Sequence, residues 1–489
     1  MRKFKFIFAT LFLAITLGAS FTGCGFKKNV SEDEHMNAVI AKMDLNADET
    51  YEGNLTVWAQ SKSTEVAAVT KFIESFNVKY PKIKVTLATY APDAYIQHVK
   101  NQAAAAEASG KHENVADVFW LANESIPSMV AQSILAPINF IDDKDDSFST
   151  AALVDTMVED SKFGDNLYMM PRDYNQFVLY YNKWLVDKCG IAMPEPDEAM
   201  GREEFETIAE EFRVKLPKVV GNPTGSSMAA GQVLDVSWGW PSMAYGMLRM
   251  FGGGVTDSKG NVIFDSQENY NALKWIKETV INGWSPTVGA EGLGTKFKLY
   301  QAPFLIDTRA TFMDIVENVS AGYSMNDDIG VLPLPVFDTD EHYAIGAGCS
   351  GYAMYYNAVH PTEAWLFLKH VVSVEGQNAY GETGNSVPVL KSLIDDEDAA
   401  WRNLDRYGIN LPAGFNHDAF VYKYDTNSCT MAEFKSAIPA GAVARVAGCM
   451  ATGVSNAIKN TTTANYVKNI QSAIDTQAKI MRQEISSKK

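Results

Sequence analysis

The chain has 489 residues, a formal net charge of −17 and an apolar fraction of 46%. That length exceeds what one hydrophobic core usually serves, so two lobes are the default. The acidic balance argues against nucleic acid and against adhesion to anionic lipid, because both need a basic patch.

Arg2, Lys3 and Lys5 open the chain, and Phe6 to Leu17 follows as an uncharged apolar run. About a dozen apolar residues make a secretory signal, whereas a spanning helix needs about 20. The run ends in Phe21-Thr22-Gly23-Cys24-Gly25, a cysteine at the processing point after a small residue. This segment resembles the lipobox of bacterial lipoproteins, although Phe21 and Thr22 depart from its usual residues. The resemblance implies removal of residues 1–23 and lipidation of Cys24, the new N-terminus, at the outer face of the membrane. One acyl chain binds a bilayer only marginally, so two or more are required for a durable anchor. Residues 1–23 hold three basic side chains and no acidic one, so their loss brings the net charge to −20.

Residues 24–52 are polar, with an acidic cluster at Glu32-Asp33-Glu34, and read as a flexible or weakly helical tether. Asp44, Asn46 and Asp48 have the opening spacing of a calcium loop. Glu49 occupies the position that wants glycine, however, and Leu55 the position that wants a bidentate Glu, so no metal is expected. Cys189, Cys349, Cys429 and Cys449 lack metal-ligand spacing. Export permits a bridge between Cys429 and Cys449, and buried free thiols are the alternative.

The folded part opens with Asn54 to Ala59, which alternates as a strand. Val66, Val69, Phe72, Ile73 and Phe76 then recur at helical spacing up to Pro81, and Ile83 to Leu87 alternates again. An alanine-rich helix over about Tyr95 to Ser109 precedes the buried strand Val115 to Trp120. Strand, helix, strand, helix, strand signals an α/β lobe with a mostly parallel sheet, whose ligands sit beyond the carboxyl ends of the strands. Trp58, Gln60, Trp120, Asn123 and Glu124 lie at those ends. Further on, Phe177 to Lys183 reads as a strand and Arg202 to Arg213 as a helix. Trp238-Gly-Trp240-Pro241 opens an apolar helix, with proline suited to its first turn. A helix from Asn269 ends at Asn282-Gly283, and Ala302 to Arg309 is a strand running into a helix. These mark a second α/β lobe, followed by a helical C-terminal part from about Leu390.

Several segments carry a family resemblance in their order. They include Thr-Val-Trp58-Ala, Tyr-Pro81-Lys-Ile-Lys-Val, Ala-Asp117-Val-Phe-Trp and Leu135-Ala-Pro-Ile. Gly164-Asp-Asn-Leu-Tyr-Met-Met-Pro171, Leu-Tyr-Tyr181-Asn-Lys183, Ile329-Gly-Val-Leu-Pro-Leu-Pro335 and Pro361-Thr-Glu-Ala-Trp follow. Together they resemble the extracellular solute-binding proteins of ABC importers, in the group of maltodextrin- and oligosaccharide-binding lipoproteins. The resemblance implies an α/β fold of the type II periplasmic-binding-protein kind: two α/β lobes, crossover hinge strands and a ligand cleft between the lobes. It places residues 53–172 and 302–345 in the N-lobe, and 173–301 and 346–489 in the C-lobe. Crossovers are expected near Pro171 to Asn175, Val331 to Phe337 and Gly346 to Gly351.

A sugar presents C–H faces that stack on aromatic rings and hydroxyls that need donors and acceptors. Trp58, Trp120, Tyr174, Trp238 and Trp240 are candidate platforms, with the sheet core as the alternative for Trp58. Gln60, Lys62, Asn123, Glu124, Asp173, Asn175, Asp235, Asp307 and Arg309 are candidate hydrogen-bonding groups. By the resemblance, Asn175 stands where the family has a hinge carboxylate. The expected ligand is an oligosaccharide, the expected partners are ABC permease subunits and, through Cys24, the membrane, and the expected state is a monomer without cofactor. No HExxH, Walker A or GxSxG pattern occurs, and Gly348-Cys-Ser350-Gly351 is followed by Tyr352 rather than a final glycine. A glycoside hydrolase would need paired carboxylates set by the fold, and a surface adhesin would need no closing cleft; these are the rival functions.

Overall fold

Strand β1 (Gly53–Gln60) pairs in parallel with β2 (Ile83–Tyr90) along its whole length, Gly53 opposite Ile83 and Gln60 opposite Tyr90. Helix α2 (Ser63–Lys79) connects them, and it buries Val69, Phe72 and Phe76, the apolar positions at helical spacing. Helix α3 (Pro92–Ser109) starts with proline in its first turn and ends at Gly110, whose φ of 69° suits glycine. It leads to β3 (Val118–Ala122), parallel to β1. The computed structural model describes residues 31–220, 232–287, 293–317, 319–320, 323–459 and 465–488. The expected signal segment and Cys24 lie outside them. Among the described residues no helix is long and apolar enough to cross a membrane.

The first sheet runs β2-β1-β3, then Ser350–Met354 and Met170–Pro171, with Ser350–Met354 antiparallel to both neighbours. The second sheet has the order Ile329–Pro333, Val178–Asn182, Phe304–Asp307, Leu234–Asp235. Its central strand alternates: Val178 and Tyr180 join the first core, while Phe177 and Leu179 join the second with Phe205, Trp275 and Phe337. A third, short sheet joins the two lobes. Ile345–Gly348 lies at its centre, antiparallel to Asn175–Gln176 and parallel to Ser428–Cys429.

These pairings correct three expectations. Residues 302–345 belong to the second lobe, because Phe304–Asp307 and Ile329–Pro333 are strands of its sheet. Ser350–Met354 and the helix Pro361–Val371 belong to the first lobe, where Trp365, Phe367 and Leu368 are buried. The expected crossover at Val331 to Phe337 stays within the second lobe, since Val331 pairs with Tyr180 and Phe337 is core there. Ser428–Cys429 makes the third crossing instead, too short a strand to leave a periodic trace. Asn175 and Gly346 to Gly351 do lie at crossings.

The tether is also shorter than its composition indicates. Residues 32–40 form α1 (Glu32–Ile40), with Ser31 and Glu34 in a reciprocal capping box. Met36 of α1 is fully buried in the first core. His35 stacks on Tyr356 at 3.8 Å, and its Nε2 is 2.8 Å from the Tyr356 carbonyl. Met36, the stacked ring of His35 and Ile40, which packs against the same core, dock a helix whose first turn is acidic. Cys429 and Cys449 are free, buried thiols, as are Cys189 and Cys349.

Candidate functional site

The two lobes approach each other over the joining strand Ile345–Gly348. A β-carbon placed on Gly348 would lie 3.5 Å from Ser242 Oγ, 3.7 Å from Asn123 Nδ2 and 3.8 Å from Asp160 Oδ2. Asn123 and Asp160 come from the first lobe, and Ser242 from the second. Asn123 follows directly on β3, so the carboxyl end of a parallel strand delivers it here. Its side-chain amide donates to the Asp160 carboxylate. Lys435 of the second lobe stands 3.5 Å from the other Asp160 oxygen. Burial raises the Asp160 pKa, against the pull of Lys435 and Asn123.

Glu124 is exposed to solvent, yet surrounding protein desolvates its carboxyl and raises its pKa, with the Asp160 charge adding to the effect. A side chain reachable by water and hemmed in by protein marks the wall of a cleft. On the opposite wall, Trp240 and Pro241 begin the helix Pro241–Met250, which packs against Ile345–Gly348. Gly246 of that helix and Gly346 allow this approach, since a β-carbon on Gly246 would meet Gly346 Cα at 2.7 Å. Trp240 is half-buried and meets Phe177 edge to face at 5.1 Å. Asn175, half-buried and opposite Gly348 in the joining sheet, has a buried Oδ1 without a hydrogen-bond partner. Amides, carboxylates, a hydroxyl and a lysine thus converge at the crossover, two residues from the half-buried Trp240.

A second rim lies at the end of β1. Gln60 is its last residue and is half-buried. Lys62 caps the start of α2 and pairs with Asp314 at 3.3 Å, bridging to the helix Phe312–Val316 that follows the second-sheet strand Phe304–Asp307. Asp307 and Asp235 end neighbouring strands of that sheet. Both serve as turn anchors: Asp235 accepts the backbone N–H of Lys296 at 3.1 Å, and Asp307 that of Thr308 at 2.7 Å. Thr311 Oγ1 also donates to Asp307. Burial pushes Asp307 up to about 6, and it raises Asp235 as well.

Five candidates, Trp58 among them, are placed away from an open cleft wall. Trp238 is core, with its Nε1 donating to Ser285 Oγ at 3.0 Å and its ring against Trp275. Tyr174 is fully buried and donates to Gln176 Oε1 at 2.5 Å. Asp173 is fully buried and accepts from the Ser350 backbone N–H and hydroxyl. Arg309 is buried, lies over Phe312 and Phe420, and donates to the carbonyls of Gly384 and Trp401. With no carboxylate paired to it among the described residues, desolvation pulls its guanidinium down to about 10. In each case burial turns a residue suited to ligand contact into an internal tie. Trp58 is also core, with its carbonyl accepting from Tyr95. Trp120 is buried in β3, and its Nε1 has no hydrogen-bond partner.

The site residues that escaped sequence reasoning are Asp160, Ser242 and Lys435, together with Gly348 as a floor residue. None carries a local signature, since Asp160 and Lys435 are 275 positions apart in the chain and meet only through the joining sheet. Among the described residues no group of three or more His, Cys, Asp or Glu could hold a metal ion.

The fold resembles several solved structures. The GacH receptor of Streptomyces glaucescens, solved unliganded and with acarbose, is 17% identical, with a TM-score of 0.67 over 90% of this chain and 100% of that one. The substrate-binding protein Lmo0181 from Listeria monocytogenes, in complex with cycloalternan, is 16% identical, with a TM-score of 0.62 over 88% and 100%. UgpB from Mycobacterium tuberculosis, in complex with glycerophosphocholine, is 17% identical, with a TM-score of 0.62 over 88% and 99%. No curated protein matches by sequence. The family model of bacterial extracellular solute-binding proteins matches residues 60–378, which is well over half of the chain. This chain therefore belongs to the bacterial extracellular solute-binding proteins.

Proposed function

We propose that this protein captures a carbohydrate, an oligosaccharide, in the cleft over Gly348 and delivers it to the permease of an ABC importer. The observation that carries the reading is the meeting of Asn123, Glu124 and Asp160 from one lobe with Ser242 and Lys435 from the other, at the helix start that Trp240 opens. A ligand lying there touches both lobes in the closed state and one in the open state, so it favours closure. Polar groups of both hydrogen-bonding senses beside a half-buried indole suit hydroxyls and a C–H face. Two structural neighbours were solved with acarbose and with cycloalternan, which supports the same ligand class. We further propose that a lipid on Cys24 holds the domain at the outer face of the membrane.

The test combines titration calorimetry against maltose, maltotriose, cellotriose and acarbose with small-angle scattering. Binding of one of them, with compaction of the particle, is the expected result. Absence of both heat and compaction across the panel overturns the carbohydrate reading, and cleavage of a glycosidic bond overturns the assignment as a binding protein.

A further inference from the structure

Gly346 and Gly348 lie two residues apart on the joining strand Ile345–Gly348, and so project to the same face of it. At Gly346 the reason for glycine is packing. A β-carbon there would lie 2.6 Å from the Ser242 carbonyl oxygen and 3.2 Å from Gly246 Cα, so the helix Pro241–Met250 leaves no room for a side chain. At Gly348 neither packing nor conformation demands glycine. A β-carbon there meets nothing nearer than Ser242 Oγ at 3.5 Å, an ordinary van der Waals contact, and the backbone φ lies outside the left-handed region. Glycine weakens a strand through its chain entropy and its missing side chain, and it marks places where a ligand or another backbone comes close. No backbone does so here, since the three nearest neighbours of that β-carbon are polar side-chain atoms. Gly348 is only half-buried, so the space left by its missing side chain is open to solvent.

The walls of this space are polar. Asn175 pairs directly opposite Gly348, and opposed residues of an antiparallel pair project to the same face. The adjacent Gln176 projects to the other face, where its amide donates to the carbonyls of Ala419 and Tyr422. Asn175 Oδ1 is buried and has no hydrogen-bond partner. Asp160, by contrast, is already engaged by Asn123 and Lys435. The groups left to be met are the Asn175 amide and the Ser242 hydroxyl.

We infer that Gly348 is a specificity-determining residue: the space over it takes one hydroxyl-bearing carbon of the bound sugar, with that hydroxyl bonded to Asn175. This rests on the carbohydrate reading and narrows it. An amide oxygen only accepts, so its partner must donate. A ring oxygen, a glycosidic oxygen and an ionised carboxylate have no proton to give. A hydroxyl donates to Asn175, can also bond Ser242, and adds no charge beside an ion pair that is already closed. Any side chain at position 348, even a methyl group, takes the place of the sugar carbon.

Gly348→Ala adds one methyl group at ordinary contact distance. The unliganded variant should melt at the wild-type temperature or above, because alanine loses less chain entropy on folding. Its affinity for the tightest sugar among maltose, maltotriose, cellotriose and acarbose should fall about tenfold or more by calorimetry, since a methyl group then competes for a filled space. Asn175→Ala should weaken the same sugar about 3- to 10-fold, the loss of one hydrogen bond. One monodeoxy derivative of that sugar should bind the wild type more weakly than its parent, and bind Asn175→Ala as well as its parent does. Wild-type affinity in Gly348→Ala would overturn the inference and leave the carbohydrate reading standing. Equal losses for every monodeoxy derivative on the wild type and on Asn175→Ala would show that no hydroxyl meets Asn175, and would overturn it too. Absence of sugar binding by the wild type would overturn the carbohydrate reading, and the role of Gly348 with it.

Discussion

Lys435 of the second lobe stands 3.5 Å from Asp160 of the first, and both side chains are at least nine-tenths buried. Two charges removed from water are stable only in each other's company, because the desolvation cost of either alone amounts to several kcal/mol. Lys435→Met leaves the Asp160 carboxylate buried with only uncharged partners, Asn123 and Thr430, and should cost about 3 kcal/mol or more. The double variant Lys435→Met, Asp160→Asn should recover most of that loss, since no charge is then stranded. Chemical unfolding of the two single variants and the double variant measures the cycle; equal losses in single and double variants would remove the pair from the lobe contact.

Trp238 and Trp240 are two residues apart and do different work. Trp238→Ala opens a core cavity beside Trp275 and leaves Ser285 without its indole donor. It should destabilise the protein by about 3–5 kcal/mol, visible as a lower melting temperature. Trp240→Ala, at the half-buried start of its helix, should leave melting nearly unchanged and weaken sugar binding by about 2 kcal/mol, as for other aromatic anchors. Calorimetry that finds Trp240→Ala binding as tightly as wild type would take that ring out of the cleft.

The first half of the first lobe is legible because its signals are local. Val69, Phe72 and Phe76 follow the helical period, and Asn54 to Ala59 alternates. The assignment of residues 302–345 failed for a non-local reason: a strand such as Phe304–Asp307 is apolar on both faces, and nothing in it says which sheet it joins. Trp238 and Arg309 show the same limit within the site. A tryptophan in a loop and an arginine after a strand read as surface chemistry, but burial is decided by segments far away in the chain, Trp275 for one and Trp401 with Phe420 for the other. Asp160 and Lys435 were illegible because each is ordinary until the joining sheet brings them together.

Asp307 has a pH signature with a definite sign. Its pKa in the folded protein is about 6, against an ordinary value of 3.8. At pH 7.5 both folded and unfolded states carry the ionised carboxyl, and the burial penalty is present in full. As the pH falls through 6, the folded state takes up a proton first, so this group stabilises the fold progressively, by about 1 kcal/mol at pH 5 and about 3 kcal/mol at its limit. Asp307→Asn removes the titration. The stability difference between Asp307→Asn and wild type should therefore favour the variant more at pH 7.5 than at pH 5. A difference that does not change with pH would mean that Asp307 stays ionised in the fold.

The docking of α1 changes what an anchor on Cys24 would do. With residues 32–40 fixed to the first lobe, seven residues lie between Cys24 and Glu32. Fully extended, a stretch of that size spans about 25 Å, so a lipid there would hold the domain close to the bilayer, with the α1 side of the first lobe facing it. Cys24→Ser should move the protein from the detergent phase to the aqueous phase in phase partition while leaving sugar affinity unchanged. Met36→Asp should undock α1, because it buries a charge in the first core, and should expose the segment before Gly53 to protease. It should leave Cys24-dependent partition intact. Retention of Cys24→Ser in the detergent phase would show that the membrane is reached by another route, and protection of the segment in Met36→Asp would show that α1 does not depend on that contact.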